Sequence, residues 1–300
     1  MRLCTIFSFI RAVNVEERHR VMINDSNIKE DSFTLVTSQR RKTKKHTNKR
    51  LETNPIFKPS EEDFVDEEAV IKRIYETQTD LRLSTYYENA IAKLRSVLHR
   101  FGSKGKQIVC IGIGHFSECS ISRHQLAFIL SVKELFGFNS IVFHEPILSR
   151  SEVNILKTLN CSVAANNVEG KVEIEGVTLV YAPHCPKQLI NNLLWKNWNV
   201  DVLKQLIYIG NSFSNLLNSI PSRFLSVDAG FIVKLQPNCE EIDLTNDFKF
   251  TDIFNDTSVH QFPTIEAVSN EFWSQETEEP VYESDNLELI TTALVEKLSI

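Results

Sequence analysis

The stretch "QIVCIGIGHFSE" (Gln107–Glu118) decides the fold class of this sequence. Its first half is a continuous apolar run, which is typical of a strand buried on both faces of a parallel sheet. The run reaches Gly112, and Gly114 follows closely, so a tight turn comes directly after the strand. A helical pattern follows the turn and ends at Gly137. A residue in the left-handed conformation is often needed at this position of a helix end. Strand, glycine turn and helix together predict the opening unit of an α/β domain.

The same alternation of buried strand and helix repeats downstream. Strands are predicted within residues 140–146, 161–167, 177–183 and 203–214, and helices within 149–160 and 187–198. This alternation specifies an α/β fold with a doubly wound, mostly parallel, Rossmann-like sheet and right-handed crossovers. Two N-terminal helices with apolar stripes, separated by a break near Ser84, are expected to pack on it. Residues 231–237 and 250–262 are expected to add edge strands or loops.

Three regions follow from the composition along the chain. Residues 1–60 lack periodicity and are expected to be a basic, largely disordered N-terminal segment. Residues 61–265 form the α/β domain with a helical lead-in over 64–100, and residues 266–300 read as an acidic linker and a short C-terminal helix. Residues 39–50 hold seven Lys or Arg, which suits a nuclear-import signal, a nucleic-acid contact or a solvated tail.

Charge and cysteine usage limit the location and the partners of the chain. The net charge of −6 gives no overall reason for nucleic-acid or membrane binding, and no apolar segment is long enough to span a bilayer. The six cysteines form no CxxC pair, which suits reduced thiols in the cytosol or nucleus. We therefore expect a cytoplasmic chain with the nucleus as a second location, without membrane association and without direct nucleic-acid binding.

The ends of the predicted strands carry the candidate binding residues. In open parallel sheets, ligands bind outside the carboxyl ends of the strands. Four predicted strands end in small, polar or titratable residues, whereas a plain turn needs only Asp, Gly and Pro. The hypothetical ligand-binding residues are Gly112, Gly114, His115, Ser117, Glu145, His184, Cys185, Asn211 and Ser212. We predict that the four strand ends border one shared pocket.

The glycine turn allows three interpretations. A Gly-x-Gly turn after a buried strand lets a phosphate or ribose approach the backbone, and Glu145 at the next strand end suits a ribose hydroxyl. The third glycine of the dinucleotide fingerprint is absent, and Glu145 lies farther along the chain than the usual spacing of about twenty residues. A pyrophosphate site, a looser nucleoside or adenosyl pocket, and a purely structural turn remain open.

The Pro-His-Cys-Pro run at residues 183–186 places a cysteine where a strand becomes a helix. Pro186 suits the first helical position, which puts Cys185 at the N-cap, where the helix dipole lowers a thiol pKa. His184 points away from Cys185 in an extended strand, so a Cys–His pair is not expected. A Cys-Pro thiolate is also a candidate axial ligand for haem iron. The alternative is that Cys185 is a small buried apolar residue.

The helix after this run carries an amide-rich face. Its outer surface is expected to hold Gln188, Asn191, Asn192 and Trp195, which would suit a lip of the same crevice. No Ser-His-Asp order, no Walker lysine and no recognised spacing of zinc ligands occurs in the sequence. We therefore assign no catalytic residue and no metal ligand, apart from Cys185 as the haem candidate.

Five blocks of the sequence, in order, resemble the signature blocks of the Sensitivity to Red Light Reduced family, whose members carry an SRR-like domain. The blocks are "IVCIGIGHFSE" (108–118), "QLAFIL" (125–130), "PHCPKQLINNLLWKNW" (183–198), "LIYIGNSFS" (206–214) and "FNDTSVHQF" (254–262). The upstream "TLVTSQRRK" (34–42) resembles a basic element of animal members. One departure is His144-Glu145-Pro146, where the family more often has Asp-Pro.

The resemblance implies a regulatory role. Family members are associated with circadian-clock input and clock-gene expression, and animal members with the control of haem biosynthesis, which implies regulatory protein partners. The family supplies no catalytic or ligand residues to carry over. It does favour Cys185-Pro186 as a haem-responsive element.

Three functions therefore remain open. The favoured one is a non-catalytic regulator whose α/β domain senses haem or another small molecule. The second is a Rossmann-type enzyme that uses S-adenosylmethionine or a nucleotide cofactor, and the third is a protein-interaction scaffold.

Overall fold

The structure is a computed structural model that describes residues 65–102, 106–274, 278–282 and 289–294. The N-terminal segment expected to be disordered, and most of the expected C-terminal helix, lie outside these residues. The boundaries at residues 60 and 265 stay predictions. None of the described helices combines the length and the apolar character that crossing a membrane requires.

Seven strands of the described chain form one sheet. They are β1 (Lys106–Ile111), β2 (Ser140–His144), β3 (Ser162–Val163), β4 (Val177–Ala182), β5 (Leu206–Asn211), β6 (Glu240–Asp243) and β7 (Thr257–Gln261). The strand order is β3-β2-β1-β4-β5-β7-β6. The first five strands are mutually parallel, and β7 runs antiparallel to both β5 and β6. The predicted mostly parallel, doubly wound sheet is confirmed.

Helices cover both faces of the sheet. They are α1 (Glu67–Arg82), α2 (Thr85–His99), α3 (Ser120–Phe136), α4 (Arg150–Thr158), α5 (Lys187–Lys196), α6 (Val200–Leu203), α7 (Phe213–Ser219), α8 (Ser222–Asp228), α9 (Gly230–Leu235) and α10 (Asn270–Ser274). The break near Ser84 is confirmed, because the Ser84 hydroxyl caps α2 by accepting a hydrogen bond from the Tyr87 amide. At the C-terminal end of α3, Gly137 has the expected left-handed conformation.

The central strands are mostly apolar because they separate two cores. Every residue of β4 is buried. Since side chains alternate along a strand, Leu179 and Tyr181 pack in one core, and Val180 and Ala182 in the other. Burial on both faces explains why these strands read as continuous rather than alternating runs.

The N-terminal helices pack over one face of the sheet, as predicted. Helix α1 packs against α3, where Gln78 Nε2 donates to Ser131 Oγ at 3.2 Å. In α2, the Tyr86 ring stacks on Phe254 with ring centroids 4.3 Å apart.

Two details at the far side of the sheet differ from the prediction. Residues 231–237 form α9 and a following 3-10 turn, and the buried Phe231, Ile232 and Leu235 have helical spacing. The strand within 250–262 is β7, which lies between β5 and β6 rather than at the edge. The edge strand is β6, whose sequence "EEID" is short and acidic, as edge strands often are.

Candidate functional site

A pocket of about 200 Å³ lies at the carboxyl ends of β1, β2 and β4. Six of the predicted residues line it, namely Gly112, Gly114, His115, Glu145, His184 and Cys185. Ser117, Asn211 and Ser212 do not line it. The predicted convergence of strand ends is therefore seen for three strands, whereas the end of β5 contributes indirectly.

The glycine turn after β1 forms part of the pocket wall. Gly112 and Gly114 have φ angles of +69° and +70°, which favour glycine. A Cβ on Gly112 would overlap Cys185 Sγ, and a Cβ on Gly114 would lie 3.2 Å from Ser122 Oγ. The two glycines thus leave backbone, rather than side chain, facing the cavity.

Glu145 ties the end of β2 to this turn. Its Oε2 accepts a hydrogen bond from the Gly114 amide at 2.8 Å, and its Oε1 accepts one from the Ile147 amide at 3.3 Å. Burial raises the pKa of the Glu145 carboxyl, although these two amides oppose the shift. A carboxylate has about four acceptor positions, so Glu145 retains capacity to accept hydrogen bonds from a ligand.

A buried glutamate that the sequence did not reveal as a site residue holds His115. Glu152 is fully buried and accepts hydrogen bonds from His115 Nδ1 at 2.8 Å and from the Ser117 amide and hydroxyl at 3.0 and 2.8 Å. It also accepts one from the Ser149 amide, which completes a capping box at α4. The Ser-x-x-Glu spacing in the sequence was the available signal.

The His115–Glu152 contact shifts the pKa values of both groups. Burial opposes ionisation of Glu152, but hydrogen bonds, the largest from His115, outweigh it and lower the pKa of the carboxyl. The Glu152 hydrogen bond raises the pKa of His115. Because an ionised carboxylate only accepts, His115 Nδ1 is the donor. His115 also lines the pocket.

Asn211 positions the Pro-His-Cys turn from outside the pocket. Its Oδ1 accepts a hydrogen bond from the His184 amide at 2.8 Å, and its Nδ2 donates to the Cys185 carbonyl at 3.3 Å. The turn needs this support because His184 has a φ of +55°. The His184 ring lies within hydrogen-bonding distance of Gln125 Nε2 and the Asn255 carbonyl, both at 3.3 Å.

Ser117 and Ser212 have structural contacts instead of facing the pocket. Ser117 bonds Glu152, as described above. The Ser212 hydroxyl caps α7 by accepting a hydrogen bond from the Asn215 amide at 3.0 Å, and the Ser212 amide donates to the Asp256 carbonyl.

The expectation that Cys185 is an activated thiolate at a helix cap is wrong. The N-cap of α5 is Pro186, so Cys185 lies one residue before it. The thiol is only 5% exposed and donates to the Ile111 carbonyl at 3.2 Å. Burial, with a smaller effect of Glu145, raises the pKa of Cys185 far above its ordinary value.

These facts also test the haem interpretation. A haem–thiolate bond needs an accessible, deprotonated sulfur. Here the sulfur is protonated and packed against Gly112. No group of three or more His, Cys, Asp or Glu side chains in the described part of the chain is arranged to hold a metal ion. The residues at Cys185 therefore do not fit haem.

The amide-rich face of α5 is buried, contrary to the expected solvated lip. Gln188, Asn191 and Asn192 are at most 2% exposed, and Trp195 is half-buried. The Tyr282 hydroxyl lies 2.9 Å from both Asn191 Nδ2 and Asn192 Oδ1. A segment more than eighty residues further along the chain thus covers this face, which helical periodicity cannot predict.

The pocket lining among the described residues holds carboxylates and imidazoles but no permanently cationic side chain. The described lining includes the carboxylates Glu145 and Glu169 and the imidazoles His115, His144 and His184, and it includes no Lys or Arg. Burial lowers the pKa of His144, whose buried Nδ1 has no partner among the described residues. Most of the remaining wall is aliphatic. Such a pocket suits a ligand with an apolar body and hydrogen-bond donors, and it disfavours phosphate groups.

Two solved structures resemble the chain weakly. One is Thermoplasma acidophilum 1320, with a TM-score of 0.29, 15% identity and coverage of 65% of this chain and 95% of that one. Another is the plantazolicin methyltransferase BpumL in complex with a pentazolic desmethylPZN analog and SAH, with a TM-score of 0.28, 9% identity and coverage of 65% of this chain and 98% of that one. Similarities at this level carry no argument about the present chain.

Similarity in sequence is far more informative. SRR1-like protein from Mus musculus is 29% identical over 238 residues, which cover 68% of this chain and 94% of the mouse protein. SRR1-like protein from Drosophila melanogaster is 29% identical over 200 residues, which cover 66% and 71%. Protein SENSITIVITY TO RED LIGHT REDUCED 1 from Arabidopsis thaliana is 36% identical over 109 residues, which cover 36% and 40%.

The SRR1 domain family model matches residues 93–261, which is more than half of the chain and includes all seven strands. The predicted resemblance is confirmed: the chain belongs to the SRR1 domain family.

Proposed function

We propose that this SRR1 domain protein is a non-catalytic regulator that senses a small molecule in the pocket at the ends of β1, β2 and β4. The processes that it regulates are haem biosynthesis and circadian-clock gene expression, as the family resemblance implies, and it acts through regulatory protein partners. The observation that carries the proposal is the pocket itself, where backbone glycines and Glu145 line a mostly aliphatic cavity.

The side chains around the pocket support binding rather than catalysis. The Cys185 thiol is neutral and hydrogen-bonded to a carbonyl. Both nitrogens of His184 lie near protein hydrogen-bond partners, and His115 Nδ1 is held by Glu152. An activated nucleophile with a neighbouring base is therefore not found among the described pocket residues. This arrangement favours a sensor over a covalent catalyst.

Native mass spectrometry of the full chain purified from cells tests the proposal. We expect a retained small-molecule mass in the wild type. Ile121→Trp fills the pocket from its wall and should abolish that mass, whereas Leu83→Trp, at an exposed position outside the pocket, should retain it. The absence of any retained mass in the wild type, or an equal mass in both variants, would count against the sensor.

A second candidate is an enzyme or binding protein that uses an adenosyl ligand, and the charge of the lining favours it. ATP and NAD carry phosphates that two carboxylates and no Lys or Arg would receive poorly. S-adenosylmethionine carries no phosphate, has a cationic sulfonium and offers ribose hydroxyls to Glu145.

Isothermal titration calorimetry with S-adenosylmethionine, NAD and ATP tests this candidate. We expect S-adenosylmethionine alone to bind. Glu145→Gln should weaken its binding about tenfold or more, because hydrogen bonds to a charged acceptor are lost. Glu279→Gln, at a carboxylate that does not line the pocket, should leave binding unchanged. No heat from any of the three at millimolar concentration would exclude the adenosyl ligand, and tighter binding of ATP would contradict the charge argument.

A further inference from the structure

A segment near the C-terminus lies along the rim of the pocket. Residues 289–294, here named the C-terminal strap, contact the loop that follows β3. Asn167 Nδ2 donates to the Ile290 carbonyl at 2.9 Å, and the Thr292 amide donates to Glu169 Oε1 at 2.8 Å. The Thr292 hydroxyl lies 3.1 Å from both the Asn167 carbonyl and Glu169 Oε1. These contacts attach the strap to Asn167 and Glu169 of the loop.

The strap and the loop together form one wall of the cavity. Asn167, Glu169 and Ile290 all line the pocket. Leu289 is only 6% exposed and anchors the strap in the protein. The other walls come from the ends of β1, β2 and β4 and the starts of α3 and α5. Ile290 therefore covers the pocket with a residue distant in sequence from the rest.

The contacts of the strap differ in how easily they can be broken. Thr292 is exposed, so water can replace its hydrogen bonds when the strap lifts. The single buried apolar anchor is small compared with the cores on either side of the sheet. Tyr282 is held separately by Asn191 and Asn192 on α5, so the strap can open while that attachment stays in place.

We propose that the C-terminal strap is a gate built into the chain, which closes the pocket through Ile290 and opens to admit the ligand. Asn167 and Glu169 form its latch, and Leu289 is its anchor. The segment that covers the rim of the pocket is thus part of this chain. The inference rests on the proposed function for the identity of the pocket as a ligand site, but access to the pocket can be measured without a ligand.

The test is the rate at which iodoacetamide alkylates Cys119 in the full-length chain, followed by mass spectrometry at each cysteine. Cys119 lines the pocket, whereas Cys110 is buried in the core and reports unfolding. Thr292→Val removes, at nearly constant shape, the strap hydroxyl that contacts the latch residues Asn167 and Glu169. It should accelerate Cys119 alkylation about two- to tenfold, the ratio expected for the loss of a hydrogen bond.

Leu289→Asp places a charge at the buried anchor and should accelerate alkylation at least as much. Its matched control is Val281→Asp, at a position that is 83% exposed and outside the pocket, which should leave the rate unchanged. Equal Cys119 rates in all four proteins would overturn the gate. A rise that Cys110 shares would report unfolding and would also count against it. A protein that retains no ligand but shows the predicted rates would refute the sensor and leave the gate standing.

Discussion

At the scale of single residues, the pocket is shaped largely by groups that do not face it. Asn211 fixes the backbone of His184 and Cys185, and Glu152 fixes the ring of His115. Each does so through hydrogen bonds from a position outside the cavity. The precision of the pocket therefore depends on these supporting residues as much as on those that line it.

Gly112→Ala is expected to lower the free energy of unfolding by about 2–5 kcal/mol, since a left-handed φ and an overlap with Cys185 Sγ both penalise the methyl group. Urea denaturation measures the change. The matched control is Gly137→Ala, which has a similar φ of +64° but open space around it, and should cost only about 1–2 kcal/mol.

The cost of the left-handed φ and the cost of the overlap with Cys185 Sγ can be measured separately in a Cys185→Ala background. There the overlap is removed, so Gly112→Ala should cost about as much as Gly137→Ala does. An undiminished cost in that background would show that Cys185 does not pack on Gly112.

The contact with Glu152 is expected to raise the pKa of His115 rather than lower it. NMR titration should show a His115 pKa above 6.5 in the wild type and a lower value in Glu152→Gln, because the hydrogen bond that raises it most is lost while burial still lowers it. Glu118→Gln, at an exposed carboxylate with a minor influence, should change the His115 pKa far less.

The stability of the pair follows from the same shifts. The raised His115 pKa adds stability that is present below about 6.5 and lost as the pH rises through the folded pKa. The lowered Glu152 pKa adds stability that is present above about 4.5 and lost as the pH falls through the folded pKa. The loss on Glu152→Gln should therefore be largest between these limits, and a loss independent of pH would contradict the pairing.

At this scale, the sequence predicted positions better than it predicted chemistry. Gly112, Gly114 and Glu145 line the pocket as their places at the strand ends suggested. The sequence left Cys185 open between a reactive thiolate and a small buried apolar residue, and the structure agrees with the buried one. Sequence alone could not decide, because the pKa of Cys185 is set by burial against Gly112 and by Glu145, residues distant in sequence. Glu152 was not identified from the sequence, because its Ser-x-x-Glu spacing indicates only a helix cap and its contact with His115 arises from the fold.

At the scale of elements, continuous apolar runs identified the parallel strands, because those strands are buried on both faces. Periodicity gave a wrong prediction where a distant segment of the chain covers one face of a helix. The amides of α5 look like a solvated face, yet Tyr282 covers them. Strand β6 was missed because its acidic edge sequence carries no apolar signal.

Tyr282→Phe tests the attachment of the C-terminal segment to α5. The variant leaves Asn191 Nδ2 and Asn192 Oδ1 without this partner, so the free energy of unfolding should fall by about 1–3 kcal/mol. Tyr75→Phe, on an exposed face of α1, is the control and should change stability by less than about 0.5 kcal/mol. Equal midpoints of urea unfolding for the two variants would show that the attachment does not contribute to stability.

At the scale of the whole molecule, the parallel half of the sheet presents its strand ends, and a distant segment returns to close the space that they leave. The family match includes every strand but ends before the C-terminal strap, which begins at residue 289. The fold class followed from local patterns of strand and helix. The closure of the pocket did not, because it depends on contacts across more than one hundred residues.

The decisive experiment for the pocket as a ligand site is a crystal structure of the full chain with the ligand that it retains from cells. We expect density inside the pocket, within hydrogen-bonding distance of the Glu145 carboxylate and beside the backbone of Gly112 and Gly114. Density for the ligand on another face, or a pocket filled by the protein's own apolar side chains, would contradict it.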